Sequence, residues 1–193
     1  ILTLTFCIFI FNHYHANDSI SFHSSVLLKN HKGLIPLKNL DTLEIASLNL
    51  SSNNLNIFEE ACDHYSTVEH FHFNTFSSKR MVRSMIKELK SFNIIIVNTD
   101  TIHEIIANMI STISNQNKVI LNYVGGRKLM YEDLINKSCQ SILFSPNKKS
   151  KDLGFSGQII FGGLSCNNVL KTDLSHNYKA QSGIKSKKIR LSY

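Results

Sequence analysis

A doubly wound α/β domain, a three-layer α/β/α sandwich on a mostly parallel five- to six-stranded sheet, is predicted by three features of this 193-residue sequence. Five short β-branched or apolar runs, at 43–50, 67–73, 93–99, 118–124 and 140–145, start 22 to 26 residues apart. That interval holds one strand, one helix and two short turns. Stretches with helical periodicity lie between the runs, and the central runs are apolar on both faces, as parallel strands covered by helices on each side must be.

The elements follow in order. In 78–90, Met81, Met85, Ile86 and Leu89 share a face, while Lys79, Arg80, Arg83, Lys87, Glu88 and Lys90 stay outside it. In 101–114, Ile102, Ile105, Ile106, Met109, Ile110 and Ile113 do the same, with Thr99 or Thr101 placed to cap the start. Ile94 to Val97 and Val119 to Leu121 read as the central strands. After Phe144 the helical signal weakens, and from about Asn167 a polar stretch with Gly183 reads as an extended segment lying over the domain.

Composition narrows the class. Hydrophobic residues at 42% and charged residues at 18% exclude a disordered chain. No apolar run approaches the roughly 20 residues of a spanning helix, so no integral membrane span is expected. Residues 1–145 hold twelve basic and twelve acidic side chains, and residues 146–193 hold nine and two, so the whole net charge of +7 sits in the last quarter. Lys179, Lys185, Lys187, Lys188 and Arg190 could suit a polyanion. No aromatic residue interleaves with these lysines, so the stretch reads as a solvated tail and no nucleic-acid partner is expected. Cysteines 7, 62, 139 and 166 lack CxxC spacing and read as buried small apolar residues.

The chain opens on Ile1 rather than Met, as a fragment, a processed product or a truncated reading frame would. Residues 1–11 are continuously apolar and lead to Ala16, which is the length and exit of a signal-peptide core, although no basic n-region precedes it. An edge strand or the remnant of an upstream domain is the competing reading of 1–16. If 1–16 is a signal segment, the protein is periplasmic or secreted.

In a doubly wound sheet, ligands bind beyond the carboxyl ends of the strands where strand order reverses. The candidates there are Asn49, Asn74, Asn98, Thr99, Asp100, Tyr123, Gly125, Gly126, Arg127 and the stretch from Ser145 to Lys148. No GxGxxG, GxxxxGK[ST] or GxSxG occurs, so neither a nucleotide cofactor nor a serine nucleophile elbow is indicated. Gly125 and Gly126 read as a tight turn needing positive φ, with an anion cradle as the sharper alternative. The serine pairs 24–25, 51–52 and 77–78 read as caps. Asp100, Glu104, Glu132 and Asp133 are the available acids, and carboxylates at helix starts usually serve the dipole. His70 and His72 point to one face of a strand, as do His13 and His15 if extended. No third metal ligand is obvious besides His64 or Cys62, so no metal site is expected.

Three motifs carry a resemblance. Ser25 to Asn30 followed by Gly33 to Lys38 resembles the "SxVLLKN…LPL" entry into the second domain of glycoside hydrolase family 3. Ser156 to Gly163 is similar to that family's "AAQxLFGG" helix. Gly183 and Ile184 followed by 189–193 resemble the closing segment of bacterial β-N-acetylglucosaminidase-type members. The resemblance covers residues 19–193. It implies an α/β sandwich packed against a (β/α)8 barrel, in cis or trans, with carbohydrate as the ligand. It also implies that the barrel carries the nucleophile, so no residue here takes a catalytic role, and Thr99, Asp100, Tyr123, Gly125, Gly126 and Arg127 are left as candidate substrate-binding residues.

There are departures from the family pattern. "GNPY" is replaced by Val124 to Arg127, Lys171 stands where the Pro of "GxLPVS" would be, and the loop at 99–101 is too short to present an acid/base Glu. The function expected is therefore a catalytically silent accessory domain of a glycosidase acting on β-linked N-acetylglucosamine or glucose residues. The alternative is a stand-alone doubly wound carbohydrate- or ligand-binding module using the 123–127 turn. A receiver module is disfavoured because the first strand ends in Ser47 to Leu50 without clustered acids.

Overall fold

The computed structural model describes residues 23–51, 55–73 and 79–193. Six strands, β1 (Val26–Asn30), β2 (Ile45–Asn49), β3 (Val68–His72), β4 (Ile94–Thr99), β5 (Lys118–Val124) and β6 (Ser141–Ser145), form one sheet in the order β1-β6-β5-β4-β2-β3. Strands β2 to β6 are mutually parallel and β1 is antiparallel to β6. Helices α1 (Asn56–Asp63), α2 (Lys79–Leu89), α3 (Glu104–Ser114) and α4 (Glu132–Ser138) connect the successive parallel strands, and α5 (Ser150–Phe161) follows β6. The predicted three-layer sandwich is the fold observed.

Alternation along each strand divides the core in two. Ile95, Val97, Val119 and Leu121 pack under α2, α3 and α4, whereas Ile94, Ile96 and Ile120 pack under α1 and α5. The chain runs from β2 outward to β3, then returns to the other side of β2 for β4. Strand order therefore reverses between β2 and β4, and the carboxyl ends of these two strands mark the crevice.

The structure corrects four local expectations. The VLLKN run is a sixth strand, with a register shift between Leu27 and Lys29. The helical periodicity weakens after Phe144, yet α5 runs for twelve residues, and its second half is the stretch from Ser156 whose likeness to a family helix the motif carries. Its pattern is diluted by Gly154 and Gly157, and Gly157 sits so close to α1 that an added Cβ would lie 3.1 Å from Ala61 Cβ and 3.2 Å from the Phe58 carbonyl oxygen. Helix α3 begins at Glu104 with no side-chain cap, and Thr99 instead donates its hydroxyl to the Thr101 carbonyl at 2.6 Å. Ser25 is no cap either, since its hydroxyl shares a buried hydrogen bond of 2.9 Å with that of Ser145. Ser51 lies in a bend, and Ser52, Asn74, Ser77, Ser78, His13, His15, Cys7 and segment 1–16 fall outside the described residues.

The segment after α5 does lie over the domain as expected. Leu170, Leu174 and Tyr178 enter the core beside α4, and residues 184–193 run along β1 and then across the ends of α5 and α1. Arg190 departs from the solvated-tail reading. Its guanidinium donates to the Leu37 and Phe161 carbonyl oxygens at 2.7 and 2.6 Å, satisfying acceptors beside the carboxyl end of α5. Cys62, Cys139 and Cys166 are buried free thiols, and burial pushes Cys139 up to about 12.

The two glycines of α5 make a paired test. Gly157→Val should lower stability in denaturant titration by about 1–3 kcal/mol, because the added atoms meet the α1 backbone. At Gly154 an added Cβ meets chiefly the Ile57 Cγ2 at 3.0 Å, at the end of a partly exposed side chain that can turn away. Gly154→Ala should then be neutral or stabilising by up to about 1 kcal/mol. Equal effects at the two positions would contradict the packing assigned to the α1–α5 contact.

Candidate functional site

The carboxyl rim is built on a floor of amides. Asn49, Asn98 and Asn122 are neighbours across β2, β4 and β5 at one register position. Asn98 Nδ2 donates to Ser47 Oγ at 2.9 Å, and Asn122 Nδ2 donates to Asn98 Oδ1 at 2.8 Å and to Ser156 Oγ at 3.1 Å. Ser156 passes the chain on to the Leu153 carbonyl at 2.7 Å, so a polar thread joins three strands to α5 inside an apolar layer. Such groups must be paired when buried. Asn122 Oδ1 is the member without a partner among the described residues. Sequence reasoning placed Asn49 and Asn98 at strand ends but missed Asn122 and Ser156. The available signal was a lone Asn interrupting an apolar run near its carboxyl end, repeated after Val97 and after Leu121.

Above this floor, Asp100 follows β4 and Lys148 follows β6, and the Lys148 ammonium donates to Asp100 Oδ2 at 2.7 Å. Asp100 is almost fully buried and Lys148 about half exposed. Gly125, with φ of +68°, closes the turn after β5 and donates its N–H to the Ser145 carbonyl at 2.7 Å. The Lys148 stem crosses it so closely that an added Cβ would come within 2.2 Å of Lys148 Cγ. The positive φ read from the sequence is thus present at Gly125. Gly126 has a different role, because the Tyr123 ring fills the space its side chain would need, with the hydroxyl oxygen 2.0 Å from an added Cβ.

Tyr123 is 2% exposed and donates its hydroxyl to the Lys128 carbonyl at 2.9 Å. Burial, and then the Asp100 carboxylate, push its ionisation above the ordinary tyrosine range. The structure therefore brings Thr99, Asp100, Tyr123, Gly125 and Gly126 together with Lys148, while Arg127 is exposed beside them. Tyr123 and Leu129 are inside the chain's own core, so neither can be an outward contact of the rim.

Of the other acids read from the sequence, Glu132 is committed elsewhere and Glu104 and Asp133 stand in solvent, while Asp152, not singled out there, is buried in the first turn of α5. Glu132 Oε1 accepts from the Ser175 hydroxyl at 2.6 Å and the Asn177 N–H at 3.1 Å, tying α4 to the C-terminal segment. Glu104 and Asp133 are exposed. His70 and His72 do share a face of β3, but each meets a carboxylate of α1: His70 Nε2 lies 3.1 Å from Asp63 Oδ1, and His72 Nε2 lies 3.3 Å from Glu59 Oε1. His64 stacks on Tyr193 at 4.7 Å between ring centres, and Cys62 faces the core. Among the described residues no three His, Cys, Asp or Glu side chains gather as a metal centre requires. A cleft of about 500 Å³ lies at the opposite, amino-terminal end of β2 and β3, bordered by Asp41, Glu44, Tyr65 and Glu69.

Neither a protein-family model nor a curated protein matches the chain. Solved structures do. A β-glucosidase from Listeria innocua in complex with glucose matches with a TM-score of 0.64 at 14% identity, over 78% of this chain and 25% of its own. A glycoside hydrolase family 3 exo-β-xylosidase matches at 0.60 and 17% identity, over 77% and 24%. A family 3 β-N-acetylglucosaminidase from Paenibacillus matches at 0.59 and 6% identity, over 74% and 29%. At these identities the likeness is one of fold, and the chain spans about a quarter of the length of each enzyme. The resemblance read from the two ends of the sequence is met at that level.

Two outcomes test the rim. Gly125→Ala should destabilise by about 1–2 kcal/mol through left-handed strain alone, and more because it displaces Lys148. Combining it with Lys148→Ala should leave less than the sum of the two single losses, since one clash is removed by both. Strict additivity would show that Lys148 does not cross Gly125. A raised tyrosine ionisation favours the neutral hydroxyl in the folded state, so the contribution of Tyr123 is whole below about pH 10 and is lost as pH climbs past its folded value. Tyr123→Phe should accordingly flatten part of the alkaline fall in stability, and an unchanged alkaline profile would contradict the burial of this hydroxyl.

Proposed function

We propose that this chain is the second, α/β sandwich domain of a family 3-type β-glycosidase, silent in isolation, whose carboxyl rim docks on a (β/α)8 barrel and borders its sugar site. One observation carries the reading. The rim holds two buried carboxylates, Asp100, already paired with Lys148, and Asp152 in the first turn of α5, inside a border of exposed apolar side chains. Glycoside hydrolysis by paired carboxyl groups needs the two about 5–10 Å apart across the sugar. Here Glu104 and Asp133 project into solvent, Glu132 is held by the C-terminal segment, Asp100 is neutralised by Lys148 and Asp152 stands where a carboxylate complements the dipole of α5, which supports a rim without a working acid pair.

The border favours docking. Ile57 at the start of α1, Ile105 at the start of α3, and Met130 with Tyr131 before α4 are all exposed, Ile105 at 57%. Amphipathic cover helices normally turn such residues inward. Here the first turns project past the sheet, where a partner rather than the core must cover them, and exposed apolar surface grouped at one end is what an interface requires. Of the rim side chains near the carboxyl ends that the family reading offers for a barrel contact, Tyr123, Leu129 and Met130, only Met130 faces outward, with Tyr131 beside it. The fold match and the ordered motifs at both ends support the family. β-Linked N-acetylglucosamine or glucose residues are the proposed sugars, with Arg127 and the 99–101 loop as the groups that reach them.

The pure chain should give no turnover of chromogenic β-N-acetylglucosaminides or β-glucosides above the buffer rate. Turnover abolished by Asp100→Asn would overturn the silent-domain reading. In light scattering the chain should self-associate at high concentration, and Ile105→Asp should reduce this at least about tenfold by placing a charge in an apolar contact. A monomer at all concentrations, with saturable sugar binding at the 123–127 turn, would favour the stand-alone module.

A further inference from the structure

We infer that residues 184–193 form a second interaction surface, a basic and apolar strip that docks the protein on an anionic phospholipid surface. The strip is preorganised by its backbone. Ile184 N–H donates to the Leu27 carbonyl at 2.7 Å, and Ser186 and Cys166 exchange backbone hydrogen bonds of 2.8 and 3.2 Å. Ile189 and Arg190 N–H both reach the Gly162 carbonyl, at 2.8 and 2.9 Å. Tyr65 donates its hydroxyl to the Leu191 carbonyl at 2.9 Å, and Gln158 clasps the Tyr193 backbone at 2.8 and 3.1 Å. With the main chain held inward in this way, the side chains are left to project.

What they present is mixed in kind. Lys185, Lys187 and Lys188 are exposed, and among the described residues no carboxylate lies within ion-pair distance of them. Between and beside them stand exposed Ile184, Ile189, Leu191 at 76% and Tyr193 at 66%. Arg190 is excluded from this count because it faces inward onto two carbonyls. Basic and aliphatic side chains exposed on one segment supply the two signals that reversible membrane attachment needs, charge attraction to acidic headgroups and shallow apolar insertion. A nucleic-acid site would instead place aromatic faces among the lysines, and Tyr193 already stacks on His64.

Location makes the surface independent of the rim. Gly162 ends α5 and Tyr65 follows α1, so 189–193 lie at the end of the sandwich opposite Asp100 and Lys148. Tyr65 also borders the cleft of Asp41, Glu44 and Glu69, so the acidic residues of this end lie on one side of the strip and a lipid surface must meet it from the lysine side.

The test is vesicle co-sedimentation of the full chain. Vesicles with about 30% phosphatidylserine should retain it at least about tenfold better than pure phosphatidylcholine. Raising salt from about 0.05 to 0.5 M should abolish the difference in the unsubstituted protein. The Lys185→Gln, Lys187→Gln, Lys188→Gln variant should bind on the order of a hundredfold more weakly. Leu191→Ser should weaken binding severalfold, with thermal midpoints unchanged in both variants because the altered side chains stand in solvent. Absence of vesicle binding, equal retention on both lipids, insensitivity to the lysine changes, or capture by heparin or duplex RNA without lipid binding would each overturn the inference. None of these results depends on the barrel partner or on sugar turnover.

Discussion

Burial of β4 and β5 on both faces is the constraint from which the rest of the structure follows. Every side chain from Ile94 to Thr99 and from Val119 to Val124 is buried, so each face of the sheet needs its own layer of helices. Parallel strands in turn require a crossover connection for each step. With α1 and α5 on one side and α2, α3 and α4 on the other, the direction of strand addition reverses between β2 and β4. That reversal places the ends of β2, β4, β5 and β6 along one rim, where Asp100, Tyr123, Gly125 and Lys148 meet.

The polar thread beneath the rim acts within the same constraint. Three amides at one register in otherwise aliphatic strands make any slip costly, since a shift of one residue turns every strand side chain to the opposite face. Ser47, Asn98, Asn122 and Ser156 also fix α5 over β5 by direction as well as by apolar contact. Gly157 then lets α5 approach α1 closely enough to seal that layer.

Much of this was legible in the sequence. The spacing of the runs located all five parallel strands and four of the helices, because a period-2 or two-sided apolar run and a 3.6-residue stripe are local signals. What escaped was set by tertiary contact. Strand β1 is defined by pairing with β6, and α5 hides its stripe behind glycines that α1 requires. Met81 and Ile105 belong to the apolar stripes by spacing but lie in the first turns of their helices, beyond the cover of the sheet. Tyr123, a candidate substrate-binding residue by its place at a strand end, has its ring folded back over Gly126 into the core. The basic tail was visible as charge, although not that Arg190 turns inward while its lysine neighbours do not.

Under the proposed function the carboxyl rim docks on a barrel, while the opposite end carries the strip inferred to meet a lipid surface. Hydrogen–deuterium exchange on the chain, alone and mixed with the barrel domain of a structurally matched β-glycosidase, tests that claim most directly. The account predicts slowed exchange at 101–107 and 125–133, the segments carrying Ile105, Met130 and Tyr131, with residues 184–193 unchanged. Protection confined to 184–193, or no protection anywhere at concentrations that saturate a micromolar complex, would contradict it.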